Sequence, residues 1–184
     1  MALSYYGFML DVSRHFMPPE DVCRLLDAAA LCGVNTMHWH LTDDQGWRVE
    51  IRKYPLLTQV GSRRGATHFG RVSETENNCG YYTQEQIRSL VAYAQDRGIQ
   101  IIPEIDIPGH ASALLAAYPQ FGCRRTVVGA GEEETVVEAP YDYQVLTTGG
   151  IYPNLICAGK DEALRFLEDI LDELTELFPA PYVH

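Results

Sequence analysis

The chain has 184 residues, 46% of them hydrophobic, and a formal net charge of −11. It is long enough for one domain with a real core and too apolar for a disordered chain, but short of the roughly 250 residues of a complete eight-stranded βα barrel. The acidic balance repels phosphate backbones and argues against a nucleic-acid partner, and no apolar run approaches the length of a membrane span.

In chain order, Phe8 to Val12 is an apolar run bearing Asp11 near its end and followed by Ser13 and Arg14. Pro18-Pro19-Glu20 opens a helix, with Val22, Leu25, Leu26 and Ala29 at helical spacing and Gly33 as its stop. Asn35 to Leu41 is the next strand. The stretch from Thr42 to Tyr82 is far longer than the usual βα connection of about 2–6 residues. Within it, Trp47 to Ile51 has the pattern of a short extended piece. Long loops after barrel strands are where binding sites are usually built.

Thr83-Gln84-Glu85-Gln86 is a capping box, Ile87, Leu90, Val91 and Ala94 form an apolar stripe, and Gly98 ends that helix. Ile99 to Asp106 is a third strand whose isoleucines suit a parallel sheet covered on both faces. Ala111 to Tyr118 has a helical pattern. Cys123 to Asn154, rich in Gly, Glu and Thr without clear period, is expected to be an exposed loop. Asp161 to Phe178 is expected to be a helix with Leu164, Leu167, Leu171, Leu174 and Phe178 on its buried face, stopped by Pro179. Pro181-Tyr182-Val183-His184 reads as the opening of another strand. Alternating strands and helices imply an α/β fold with a parallel sheet. Four strands cannot close a barrel, so the expectation is a parallel (β/α) TIM barrel present as about half, spanning residues 1–184 with long loops at 42–82 and 123–158. Its open edge would be covered by association with a second copy.

The five cysteines show no close pair with metal-ligand spacing, and their odd number argues for a reducing compartment. Cys23 and Cys32 are expected as small core residues of the first helix. Met1-Ala2-Leu3-Ser4 has neither a basic start nor an apolar core, which favours a cytoplasmic address.

Alternate residues of a strand share a face. Thr36, His38 and His40 therefore point one way and Met37, Trp39 and Leu41 the other; Met9, Asp11 and Ser13 share a face, as do Ile102, Glu104 and Asp106. Polar groups at the carboxyl ends of three neighbouring strands would converge on one mouth. The two histidines could bind a metal, but hydrogen-bonded core imidazoles are the favoured reading, since no cysteine or clear third ligand lies nearby. Asp43-Asp44 could simply cap a turn, and Pro108-Gly109 is a turn signal in any protein. Glu104 and Asp106 are harder to dismiss, because an apolar strand offers them no water unless they reach a cavity. Trp39 and Trp47 are expected to be packing residues.

These residues resemble the amino-terminal half of the catalytic domain of glycoside hydrolase family 20, the β-N-acetylhexosaminidases. The resemblance rests on Gly7 to Phe16, on His38 to Trp47, on Tyr81 to Ile87 and on Pro103 to His110, in that order and with family-like spacing. It implies a retaining mechanism in which the sugar's own 2-acetamido oxygen attacks the anomeric carbon. A glutamic acid protonates the leaving oxygen, and the aspartate before it orients the acetamido group. By resemblance Asp106 hydrogen-bonds that orienting aspartate, Asp43 and His110 form a polar pair beside the acid, and Asp44 and Glu104 are substrate-binding. The implied partners are β-linked N-acetylglucosamine or N-acetylgalactosamine glycans, with no cofactor and no metal. The family's Asp-Glu pair normally follows the sequence that here begins Pro181-Tyr182-Val183-His184, so these 184 residues alone are expected to be inactive. Tyr6 stands where the family usually carries an arginine that holds the terminal sugar. The rival readings are a non-catalytic N-acetylhexosamine-binding module and, further off, a metal-dependent hydrolase using His38, His40 and Asp106.

Overall fold

The structure is a computed structural model that describes residues 4–74, 78–123, 125–128, 135–138 and 142–184. Its frame is a parallel sheet of β1 (Gly7–Asp11), β2 (Thr36–Asp43) and β8 (Gln100–Ile105), with β2 in the centre. Helix α1 (Pro19–Leu31) connects β1 to β2. The longer excursion from β2 to β8 holds β3 (Gly46–Trp47), α2 (Leu56–Gln59), β4 (Arg63–Arg64), β5 (Thr67–Phe69), β6 (Val72–Glu74), β7 (Asn78–Cys79) and α3 (Gln84–Gln95). After β8 come α4 (Ser112–Ala117), a 3-10 turn at Pro119–Phe121, β9 (Arg125–Val128), β10 (Thr135–Glu138) and α5 (Asp161–Leu177).

Register follows the alternation of the strands. Asp11 pairs with His40, and His40 with Glu104, so the polar residues of three strands fall in one row. On the other face of β2, Met37, Trp39 and Leu41 are fully buried beneath the helices. Each such aliphatic side chain contributes about 1.5–3 kcal/mol by leaving water. The Trp39 ring lies 4.7 Å from that of Tyr82. Thr83 caps α3 by accepting from the Gln86 amide at 3.1 Å, while Gln86 reaches back to the Thr83 amide at 2.9 Å. Gly33 and Gly98 follow α1 and α3 in the left-handed region, which glycine enters without a Cβ penalty. Beyond β8 the chain end begins another pairing. His184 donates its amide to the Pro103 carbonyl at 2.9 Å, and Ile105 donates to the His184 carbonyl at 3.1 Å.

Three expectations are corrected. The buried stripe of α5 is Ala163, Phe166, Ile170, Leu174 and Leu177, whereas Leu164 and Leu171 are exposed. Apolar residues on this helix span more than one stripe. The aromatic group of Tyr54, Tyr118 and Phe121 selects the one that carries Phe166, whose ring stacks 4.2 Å from Phe121. Cys32 caps α1 from outside and is exposed, because the helix ends one residue before it. The stretch Cys123 to Asn154 is not simply loop: β9 and β10 pair antiparallel, from Arg125 opposite Glu138 to Val128 opposite Thr135. Residues 124, 129–134 and 139–141 of that stretch lie outside the described residues.

Candidate active site

The carboxyl ends of the three parallel strands carry one connected polar cluster, and Asp43 is its hub. Asp43 is buried at the end of β2, where the chain turns into β3. Its Oδ2 lies 2.5 Å from Arg14 Nη2 and 3.0 Å from His40 Nε2. Its Oδ1 accepts from the Asp44 amide at 2.7 Å and lies 3.3 Å from His110 Nδ1. A buried carboxylate persists only if paired or hydrogen-bonded, and here two cationic side-chain types and a backbone amide meet that need.

Asp44 is equally buried. Its Oδ2 lies 2.9 Å from His110 Nδ1, and its Oδ1 accepts from the Ser112 amide at 3.0 Å and from the Ser112 hydroxyl. Both carboxylates of the Asp43-Asp44 pair thus bracket one imidazole. His110 itself sits at φ 48°, a left-handed conformation unfavourable for a side chain with a Cβ. Burial disfavours the charged ring of His110, but the nearby Asp43 charge and the Asp44 contact outweigh it and raise its pKa above the ordinary 6.5.

A second layer lies one row down. Glu104 Oε2 is 2.5 Å from His38 Nε2 and 2.7 Å from His40 Nδ1. These are close contacts without hydrogen-bond alignment, since the same atoms find no aligned partner among the described residues. The His40 ring is therefore gripped between Glu104 and Asp43. Burial works against its charge, yet the two carboxylates raise its pKa. Glu104 in turn is lowered: burial pushes its carboxyl up, and the His40 and His38 contacts pull it further down. The His184 ring lies 4.6 Å from that of His38, tilted by 49°.

Asp106 differs from its neighbours. Its amide donates to Thr42 Oγ1 at 3.1 Å, but among the described residues its half-buried carboxylate makes no hydrogen bond. Burial and the adjacent Asp43 charge push its pKa up. His38/Glu104/His184, His40/Glu104/Asp106 and Asp43/Asp44/His110 each bring three donor atoms within 4.8 Å of one another. Attraction between carboxylate and imidazole already accounts for that closeness. The expected site residues Asp43, Asp44, Glu104, Asp106 and His110 thus stand in one cluster with His38 and His40, while Trp39 and Trp47 are core. Tyr6 precedes β1 and is exposed, its amide bonded to Asn35 Oδ1 at 2.9 Å.

Sequence reasoning missed the arginines. Arg14 donates Nη1 to Asp11 Oδ2 at 2.9 Å and Nε to Gln45 Oε1 at 3.0 Å while meeting Asp43. Behind it, Arg48 is fully buried and has no carboxylate partner among the described residues. It donates to the carbonyls of Val12, Ser13, Ser62 and Gly80 and to Asn78 Oδ1, all at 2.8–3.0 Å. Burial drops its pKa to about 10, and it stays protonated at neutral pH. Arg64 holds the Gln45 carbonyl at 2.6 Å and the Arg14 carbonyl at 2.5 Å. Together the two arginines tie the long excursion to the end of β1. The segment after β10 is tied in too: Leu146 donates to the Asp44 carbonyl at 2.9 Å, Gln45 Nε2 to the Thr148 carbonyl at 2.8 Å, and Asn154 Nδ2 to Ser112 Oγ at 2.8 Å. No pattern in the sequence separates the buried Arg48 and Arg64 from the exposed Arg63.

Comparison with known proteins supplies the family. Residues 3–184 match the catalytic domain of glycosyl hydrolase family 20. The chain is 45% identical over 183 residues to a β-hexosaminidase of Porphyromonas gingivalis, covering 100% of this chain and 21% of that protein. It is 39% identical over 183 residues to a β-hexosaminidase of Vibrio furnissii, covering 98% of this chain and 28% of that protein. Among solved structures, a β-N-acetylhexosaminidase superposes with a TM-score of 0.81 at 39% identity, over 96% of this chain and 34% of that one. The family 20 exo-β-N-acetylglucosaminidase of Vibrio harveyi, in complex with N-acetylglucosamine, gives 0.76 at 37% identity, over 98% and 26%. The chain therefore spans between a fifth and about a third of the length of these relatives. It belongs to glycosyl hydrolase family 20, a family of glycosidases whose catalytic domains are TIM barrels.

Proposed function

From this membership we propose that the chain supplies the first strands of a hexosaminidase barrel that removes terminal β-linked N-acetylglucosamine or N-acetylgalactosamine. The reaction is retaining and substrate-assisted, with the 2-acetamido oxygen as nucleophile. The observation that carries the reading is the contrast between Asp106, whose carboxylate is uncommitted, and the fully committed cluster of Asp43, Asp44 and His110 beside it. Asp106 is suited to accept a hydrogen bond from a group that orients the acetamide, and burial with the adjacent Asp43 charge pushes its pKa up. Asp43 and His110 present a charge-coupled pair that tunes the proton affinity of the acid.

The expectation that Asp44 and Glu104 touch the sugar becomes a different proposal. The Asp44 carboxylate is spent on Ser112 and His110, and Glu104 on His38 and His40. We assign them positioning roles, Asp44 for His110 and Glu104 for the His40 ring that supports Asp43.

The 184 residues alone do not turn over in this account. Without a proton donor for the leaving oxygen and a carboxylate to orient the acetamide, the barrier keeps the terms that preorganisation would remove. On their own they associate, because among the described residues no strand pairs with the outer edge of β1 and Met9 on the inner face is exposed. The test is a complete barrel containing these residues, assayed with an aryl β-N-acetylglucosaminide and the matching aryl β-glucoside. Hydrolysis that requires the acetamido group supports substrate assistance; comparable hydrolysis of both sugars overturns it.

A further inference from the structure

His110 sits in a left-handed conformation at φ 48°, and a side chain stays there only where its surroundings hold it. Part of that hold comes from a short stretch before α5, where residues 154–156 run along residues 108–112. Ile156 donates its amide to the Pro108 carbonyl at 3.0 Å. Leu155 covers Gly109, where an added Cβ would stand 3.6 Å from Leu155 Cδ2. Asn154 donates Nδ2 to Ser112 Oγ at 2.8 Å. This last contact carries polarity as well as position. Ser112 is fully buried, and its hydroxyl donates to Asp44 Oδ1, the oxygen that also accepts from the Ser112 amide at 3.0 Å. A hydroxyl has one proton and two lone pairs, so with its proton on Asp44 it can only accept from Asn154. Asp44 Oδ2 in turn lies 2.9 Å from His110 Nδ1. The Asn154 amide therefore sets the direction of a hydrogen-bond chain that runs through Ser112 and Asp44 to His110.

We infer that Asn154 is a positioning residue for the proposed reaction: its amide turns the Ser112 hydroxyl onto Asp44, and through Asp44 it orients the His110 ring. The effect on turnover rests on the hexosaminidase reading; the effect on His110 rests on the geometry alone. Asparagine and aspartate share a shape but differ at the atom that meets Ser112. Asn154→Asp puts an acceptor where Ser112 needs a donor, so the Ser112 proton is drawn away from Asp44. Asn154→Ala removes the donor and leaves that proton on Asp44, with water able to take the vacated place. If Asn154 only fills space, the order reverses, because alanine leaves a gap and aspartate does not. The charged groups facing His110 are Asp43 and Asp44 from the end of β2 and Asp106 just after β8. None of them changes in these variants.

The experiment places Asn154→Asp and Asn154→Ala in a complete barrel containing these residues, assayed with an aryl β-N-acetylglucosaminide. Asn154→Asp should lower kcat about tenfold, hold KM within about twofold and move the pH profile of kcat. Asn154→Ala should stay within about threefold of the parent. In a Ser112→Ala background Asn154→Asp should lose most of its effect, because the intermediary is gone. In the 184-residue chain itself, the His110 ring followed by NMR should titrate higher in Asn154→Asp and stay put in Asn154→Ala. Ser112→Ala, which strips the same hydroxyl from Asp44, should also raise the His110 titration; its failure to do so overturns the chain of contacts whether or not Asn154→Asp folds. Alanine more damaging than aspartate, or an aspartate effect that is the same with and without Ser112, overturns the assignment. A complete barrel without turnover overturns the hexosaminidase reading instead, and the His110 titrations then decide Asn154 by themselves.

Discussion

Replacing Asp43 by asparagine removes one charge and keeps the shape, so it isolates what that charge does. In the fold the carboxylate faces Arg14 at 2.5 Å, His40 at 3.0 Å and His110 at 3.3 Å. Breaking a buried ion pair by deleting one partner typically costs about 3–5 kcal/mol. Here the cost is smaller, because the amide still offers an acceptor and Arg14 is about a third exposed and retains Asp11 and Gln45. We expect about 2–3 kcal/mol. For a chain of this length that lowers Tm by about 5–10 °C. The imidazoles report separately. Asp43 is the foremost group raising the pKa of both His40 and His110, so both should titrate lower in the variant. Thermal melts at neutral pH, with the histidine ring signals followed by NMR, measure both quantities. A melt within about 1 °C of the parent, together with unmoved His40 and His110 titrations, would refute the placing of Asp43 as hub.

Other outcomes follow from the same geometry. His40 and His110 are raised above 6.5, so their stabilisation is full below about pH 6.5 and is lost as pH rises through the folded values. The urea midpoint should therefore fall between pH 6 and pH 9, and a flat profile would count against charged imidazoles in the cluster. Arg48→Met should strand the carbonyls of Val12, Ser13, Ser62 and Gly80 and cost at least about 3 kcal/mol, read from urea unfolding; a loss below about 1 kcal/mol would mean water replaces the guanidinium. Thr83→Ala should cost about 1 kcal/mol by removing the α3 cap, in the same assay. In a complete barrel, Asp44→Asn should lower kcat more than it raises KM and shift the pH profile, as fits a residue acting through His110; a pure KM effect would restore Asp44 to direct sugar contact.

Much of the frame was legible because it is local. Strand alternation placed Met37, Trp39 and Leu41 against the helices and His38 and His40 on the opposite face. The capping box at Thr83 was readable from four consecutive residues. What escaped was set by partners distant in sequence. Arg48 and Arg64 bind backbone carbonyls, which every residue possesses, so no pattern marks where they will be held. Asn154 and Thr148 join the site through the path of a segment whose composition shows no period. The buried face of α5 was legible at Leu167, Leu174 and Phe178 and misread at Leu164 and Leu171, because its leucines alone define a plausible stripe and only the aromatic group brought by Tyr54, Tyr118 and Phe121 decides for Phe166.

The most direct test compares these 184 residues with the same residues inside a complete family 20 barrel, using a chromogenic β-N-acetylglucosaminide. The account predicts turnover by the complete barrel, lost by orders of magnitude in its Asp106→Ala and His110→Ala variants, and none by the 184 residues alone. Enzyme-like turnover by the 184 residues, or a complete barrel indifferent to loss of Asp106 and His110, would contradict it.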